Sequence, residues 1–196
     1  MKTKGDTKRL LIDATKDILC EKGSFTVKDI TERAFTNVAA INYHFGDKNN
    51  LIRIAIGELI DGVKSDIINT FDREFTDNTV ALDSVFDFLL EFYSHYKGAV
   101  KYILMFNDEE AESRYIERFF FDEKFNEIII NRIAEISLET DRDKIFYQYA
   151  IALSAFMIPL MLEGKNSSVD NKLSLSALSQ GKNRSAFTET LLKIFM

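Results

Sequence analysis

Apolar residues recur three and four positions apart along most of this chain, the spacing of helices that each bury one face. Leu11, Ala14 and Ile18, with Ile12 and Leu19 beside them, mark a first helix over about residues 6–22, stopped at Gly23. Val27, Ile30 and Ala34 mark a second, with Thr26 as its cap and Asp29 placed to favour its positive end. Thr36 and Asn37 offer the next cap, and Val38, Ile41 and Phe45 form the expected buried stripe of a third. Gly46 ends that helix, and Asp47 can cap a fourth that begins at Lys48 and runs to about residue 74 through Ile52, Ala55, Ile56, Leu59, Ile60, Val63 and Ile67. Further helices are expected at 79–97 (ended by Gly98), 99–106, 111–138, 141–163 (ended by Gly164) and 185–195. The Ser-, Asn- and Lys-rich stretch 165–184 reads as a connection with a helical turn near 173–178. One Pro and eight Gly in 196 residues fit this all-α reading better than strands and turns.

The stretch from Thr26 to Leu51 carries the most chemistry. Two short helices and a tight connection fit into 26 residues, a layout suited to laying a helix in the major groove of DNA. If Val38, Ile41 and Phe45 face inward, Asn37, Ala39, Ala40, Asn42, Tyr43 and His44 point elsewhere. Ala39 and Ala40 allow close approach to a surface, and Asn42, Tyr43 and His44 can donate to phosphates or base edges. Asn37 and Asn42 have the geometry to pair with adenine, whereas Val38, Ala39 and Ala40 can meet thymine methyls.

Here the residues resemble a family. LLIDATKDILCEKG (10–23), followed by FTVKDITERA, VAAINYHFGDK and NNL, looks like the N-terminal domain of TetR-type transcriptional regulators, over residues 8–53 or so. The NYHFGDKNNL segment is the most specific part. The resemblance implies a three-helix helix-turn-helix DNA-binding domain over residues 1–48 and a C-terminal helical ligand-binding and dimerisation bundle over 49–196. It places phosphate contacts at Tyr43, His44 and Lys48, with Thr26, Lys28 and Asn42 as further candidates. The family pattern has Gly-Val in the turn between the two helices, where this chain has Phe35-Thr36. Glycine there permits a positive φ that a bulky Phe disfavours, so either the turn takes another shape or Phe35 is strained.

Charge is divided along the chain. Residues 1–53 hold ten Lys/Arg against seven Asp/Glu, and residues 54–196 hold fifteen against twenty-four, within a net charge of −6. The basic excess lies with the motif and includes Lys2, Lys4, Lys8 and Arg9, a candidate arm for phosphates or a solvated terminus. The single cysteine, Cys20, precludes an internal disulfide, suits a reducing cytoplasm and reads as a small packed residue. No apolar run follows Met1, and no stretch is long enough to span a bilayer, so neither a signal peptide nor a membrane partner is expected. Enzyme readings find no phosphate-cradling Gly-rich loop and no paired metal-ligand motif, so no cofactor is expected.

The 141–163 helix carries two apolar rows: Ile145, Tyr149, Ala152, Phe156 and Leu160, and beside it Phe146, Ala150, Leu153, Met157 and Met161. One row can face a core and the other a second subunit, with Phe187, Leu191, Leu192 and Phe195 of the last helix. In the family the final two helices form a dimer interface, so a homodimer is implied. Pro159 is expected to bend this helix. Aromatic and Met residues crowd the middle of the chain. Phe88, Phe92, Tyr96, Tyr102, Met105, Phe106, Phe121, Phe125 and Met157 are the candidate lining of a cavity for a small hydrophobic or aromatic effector, against plain core packing. His95 and the acidic run 108–112 are read as surface features. The expectation is a cytoplasmic, ligand-responsive repressor that binds a pseudo-palindromic double-stranded operator as a dimer. An activator or a protein-partner-controlled regulator of the same fold stays open, as does a helical binding module that has lost DNA binding.

Overall fold

The computed structural model describes residues 4–22, 24–71, 78–105, 115–120, 122–162, 174–178 and 180–195, and every regular element among them is a helix. They are α1 (Lys4–Lys22), α2 (Val27–Arg33), α3 (Val38–Phe45), α4 (Lys48–Phe71), α5 (Asn78–Met105), α6 (Tyr115–Phe120), α7 (Glu123–Ser137), α8 (Arg142–Leu162), α9 (Leu175–Leu178) and α10 (Gly181–Phe195). Two compact units divide the chain. One falls within Met1–Ser65 and Ser94–Asp122, the other within Asp66–Tyr93 and Glu123–Met196. The unit that holds α1–α3 thus extends beyond residue 48.

The first unit is built on the stripes read from the sequence. Leu11, Ile18 and Leu19 of α1, Ile30 of α2, Ile41 of α3 and Leu51, Ile52 and Ile56 of α4 are fully buried together. Burying one such side chain contributes roughly 1.5–3 kcal/mol, so these few residues hold the two short helices α2 and α3, which would not persist alone. Arg33 reinforces the α1–α2 contact with two bonds of 2.7 Å to the Glu21 carboxylate. Arg9 binds both Asp13 and Glu58, and Lys16 reaches Glu58 at 3.3 Å, which braces α1 on α4.

Two elements differ from the sequence expectation. α5 runs without a break through Gly98, which is buried beside Ala99. A helical glycine costs about 1 kcal/mol relative to Ala, and here its small size sits where the helix is enclosed. The expected 111–138 helix is two, α6 and α7, with non-helical Asp122 between them. Lys64 accounts for the break: its buried ammonium donates to the Arg118 carbonyl at 2.7 Å and to Asp122 at 2.6 Å. It satisfies a carbonyl at the end of α6 and fixes the carboxylate just after it. α7 ends at Ser137, and Leu138 just after it has a φ of 57°, in the left-handed region. The acidic run 108–112 lies outside the described residues.

In the second unit α7 packs on α8, and α8 on α9 and α10. Phe125, Ile129, Ile133, Ile145, Phe156 and Leu191 are buried, and Phe156 meets Phe187 with ring centroids 5.6 Å apart. α8 continues through a buried Pro159. Its exposed apolar face differs from the expected row. Tyr147, Ile151 and Ile158 are exposed, with Ser154 between them at helical spacing, while Ala150, Leu153 and Met157 are half-buried. Among the described side chains of the expected second row, only Phe146 is exposed. The side chains of Leu160, Met161 and Phe195 lie outside the described residues.

A candidate nucleic-acid interface on α2 and α3

Local chemistry fixes both ends of α2 and α3. The Thr26 hydroxyl accepts from the Asp29 N–H at 3.2 Å, while the Thr26 N–H donates to the Asp29 carboxylate at 2.7 Å. This reciprocal cap satisfies two otherwise orphaned donors. The Thr26 hydroxyl and N–H together hold the Asp29 carboxyl below the usual range. The Asn37 side chain accepts from the Ala40 N–H at 3.1 Å and starts α3. Gly46, at φ 82°, ends it. Asp47 accepts from the Asn50 N–H at 2.8 Å at the start of α4, and the Asn50 amide donates to the Phe45 carbonyl at 2.7 Å.

α3 presents a defined outer arc. Ile41 and Phe45 are buried, Ala40 packs against the core and His44 is half-buried. Val38, Ala39, Asn42 and Tyr43 are exposed, Val38 by 50% and Tyr43 by 69%. At about 100° per residue these four cover an arc of roughly 140°. Val38, expected in the buried stripe, therefore belongs to the outer surface: it begins the helix, where no further turn covers it. Ala40 sits on the inner flank instead. Tyr43 and His44 meet edge to face at 5.0 Å.

The basic candidates are placed unequally. Lys28 is exposed and lies 3.6 Å from Glu32. Lys48 is half-buried; its ammonium donates to the Phe25 carbonyl at 2.9 Å and lies 4.9 Å from the centre of the Phe25 ring. It is a clamp on the loop before α2 as well as a candidate phosphate ligand. Arg9 is committed to Asp13 and Glu58, and Lys8 lies over the Phe45 ring at 5.9 Å. Lys2 and the side chain of Lys4 lie outside the described residues.

Phe35-Thr36 form the turn between α2 and α3. Phe35 takes the left-handed backbone, φ 52°, with its ring 85% exposed. The Thr36 N–H donates to the Thr31 carbonyl at 2.9 Å, but the enclosed Thr36 hydroxyl meets no hydrogen-bond partner among the described residues. Of the two expectations for this turn, the strained Phe35 is the one observed.

The candidate effector residues fall in both units. Tyr96 and Tyr102 belong to the first, packed against its core, and Tyr102 stacks on Phe25 at 6.0 Å. Phe88 and Phe92 belong to the second and stack at 6.2 Å; Phe125 is buried there and Met157 half-buried. Phe106, Phe121 and the side chain of Met105 lie outside the described residues. A groove of about 600 Å³ in the first unit is lined by Lys16, Asp17, Glu58, Tyr96, Lys97 and the exposed His95, among others. Of the candidate effector residues, Tyr96 lines it. Cys20 also borders it, but burial pushes the thiol up to about 11, which favours the unreactive protonated form. Among the described residues no helix is long and apolar enough to cross a membrane, and no cluster of His, Cys, Asp or Glu is placed to hold a metal ion.

No known protein-family model matches this chain, and no curated protein sequence matches it.

Proposed function

We propose that this protein is a dimeric, ligand-responsive transcriptional repressor of the TetR type, with α3 reading the major groove of a pseudo-palindromic operator. The observation that carries the reading is the outer arc of α3. Val38, Ala39, Asn42 and Tyr43 stand out from a helix anchored through Ile41 and Phe45, directly after a capped turn. Small and apolar groups at its start suit close approach and thymine methyls, and Asn42 suits a base edge or phosphate. Thr26, Lys28, Tyr43, His44 and Lys48 are the proposed phosphate ligands. The left-handed Phe35 supports the same reading, since the turn persists without the glycine of the family pattern.

The exposed row Tyr147, Ile151 and Ile158 on α8 supports a partner surface, proposed here as the homodimer contact. Two α3 helices would then enter successive major grooves about 34–36 Å apart. A hydrophobic or aromatic effector, bound among the aromatic residues of the regulatory part, would release DNA by binding the DNA-incompetent state more tightly. A mobility-shift assay on the DNA upstream of the gene tests the reading. Wild type should shift it as a dimer, and the shift should weaken in Tyr43→Ala; an unshifted fragment would count against the proposal.

A further inference from the structure

Phe35 is costly to the folded chain in two ways. Its φ of 52° is one that side-chain-bearing residues rarely adopt, and its ring is 85% exposed. Neither backbone comfort nor packing explains a phenylalanine there. Leu138 has a similar φ and equal exposure, so the backbone alone does not single Phe35 out. Its neighbours do. Phe35 stands two residues before the Asn37 cap of α3, and Val38 and Ala39 just after that cap are exposed too. The start of the reading helix therefore carries exposed apolar groups, where a helix surface facing water would carry polar ones.

A reading helix of a helix-turn-helix meets base edges through its N-terminal residues. The turn immediately before it adjoins that base-facing end, and Phe is among the side chains that make apolar contact with the C5-methyl of thymine. Resting on the DNA-binding reading above, we infer that Phe35 is a specificity-determining residue whose ring packs on a thymine methyl in each half-site. The strained turn presents the ring to that methyl.

The test uses the full chain and a duplex that wild type selects from a random pool. Each thymine of that duplex is replaced in turn by deoxyuridine, which removes the methyl and leaves base pairing intact. Affinity is read by fluorescence anisotropy for wild type, Phe35→Gly and Phe35→Asn, both substitutions suited to a positive φ. At one position per half-site, deoxyuridine should weaken wild type roughly fourfold, the worth of one methylene-sized apolar group. Both variants should melt no lower than wild type, bind the thymine duplex several-fold more weakly and show no further loss at that position. Variants that bind like wild type, or that keep every deoxyuridine sensitivity of wild type, overturn the role of Phe35 and leave DNA binding standing. A selected site with no methyl-sensitive thymine overturns it as well. Failure of wild type to select any duplex overturns the DNA-binding reading itself, and this inference with it.

Discussion

Thr36→Val should stabilise the first unit. The Thr36 backbone N–H is already bonded to the Thr31 carbonyl at 2.9 Å, while its enclosed hydroxyl meets no partner among the described residues. Leaving a buried hydroxyl unsatisfied costs about 1–3 kcal/mol, and valine removes it at nearly the same volume. A gain of about 1–2 kcal/mol is expected, which for a chain of this size raises the melting temperature by roughly 2–8 °C. Phe35→Gly relieves about 1–2 kcal/mol of left-handed strain but adds about 0.5–1 kcal/mol of backbone entropy, so its gain should be smaller, under about 1.5 kcal/mol. The two residues are adjacent, and the double variant need not gain the sum. Scanning calorimetry and urea titration followed by circular dichroism measure all three. Gly46→Ala, at φ 82° with open space around the added carbon, serves as the opposite control and should lower stability. An unchanged or lower melting temperature for Thr36→Val would refute the reasoning and mean that the hydroxyl is satisfied.

Tyr43→Ala should weaken operator binding and reduce its salt slope by about one if a phosphate contact is lost, with melting unchanged because the side chain is largely exposed. Lys48→Ala should weaken binding and also lower the melting temperature, because the Phe25 clamp is lost; a melting curve identical to wild type would sink the clamp. Cys20 should react slowly with a thiol reagent at pH 7–8 in native protein and quickly in urea, since burial raises its pKa; rapid native labelling would show an accessible thiolate. Ile151→Glu or Ile158→Glu should yield a folded monomer by analytical ultracentrifugation, whereas a charge at Phe156 or Leu191, both buried within one chain, should unfold it. Dimers that persist in both exposed-face variants would remove α8 from the interface.

How much of the fold could be read beforehand follows the range of the interaction responsible. The caps at Thr26, Asn37 and Asp47 and the stop at Gly46 are chemistry between residues three or four apart, and each stands where the sequence indicates. The break at Asp122 depends on Lys64, 58 residues away, and no local pattern announces it. Lys48 looks like a surface cation until its ammonium is found on the Phe25 carbonyl, 23 residues upstream. Val38 fits an inward stripe by spacing alone, yet the first residue of a short helix is covered only if a neighbour reaches it. In α8 the failure has another cause. The helix is apolar all round, so periodicity cannot tell which row packs inward, and tertiary contacts chose Ile145 and Phe156 over Tyr147 and Ile158.

The proposed reading surface also constrains how DNA affinity would arise. Arg9 and Arg33 give their guanidinium groups to Asp13, Glu58 and Glu21, and the chain as a whole is acidic. Bulk attraction to the phosphate backbone would therefore be modest, and so would the affinity of one α3 helix for one half-site. A second copy would change this without any new contact, because the second half-site would then be met at a high effective concentration, provided the spacing fits. The same dependence would make release easy. An effector need not touch α3; it needs only to favour a state in which both helices cannot engage together. A coupling of about 1.4 kcal/mol already lowers affinity tenfold, within the range of ordinary allosteric ligands. On this reading, the surface that joins the copies controls occupancy of the operator as strongly as the residues that touch it.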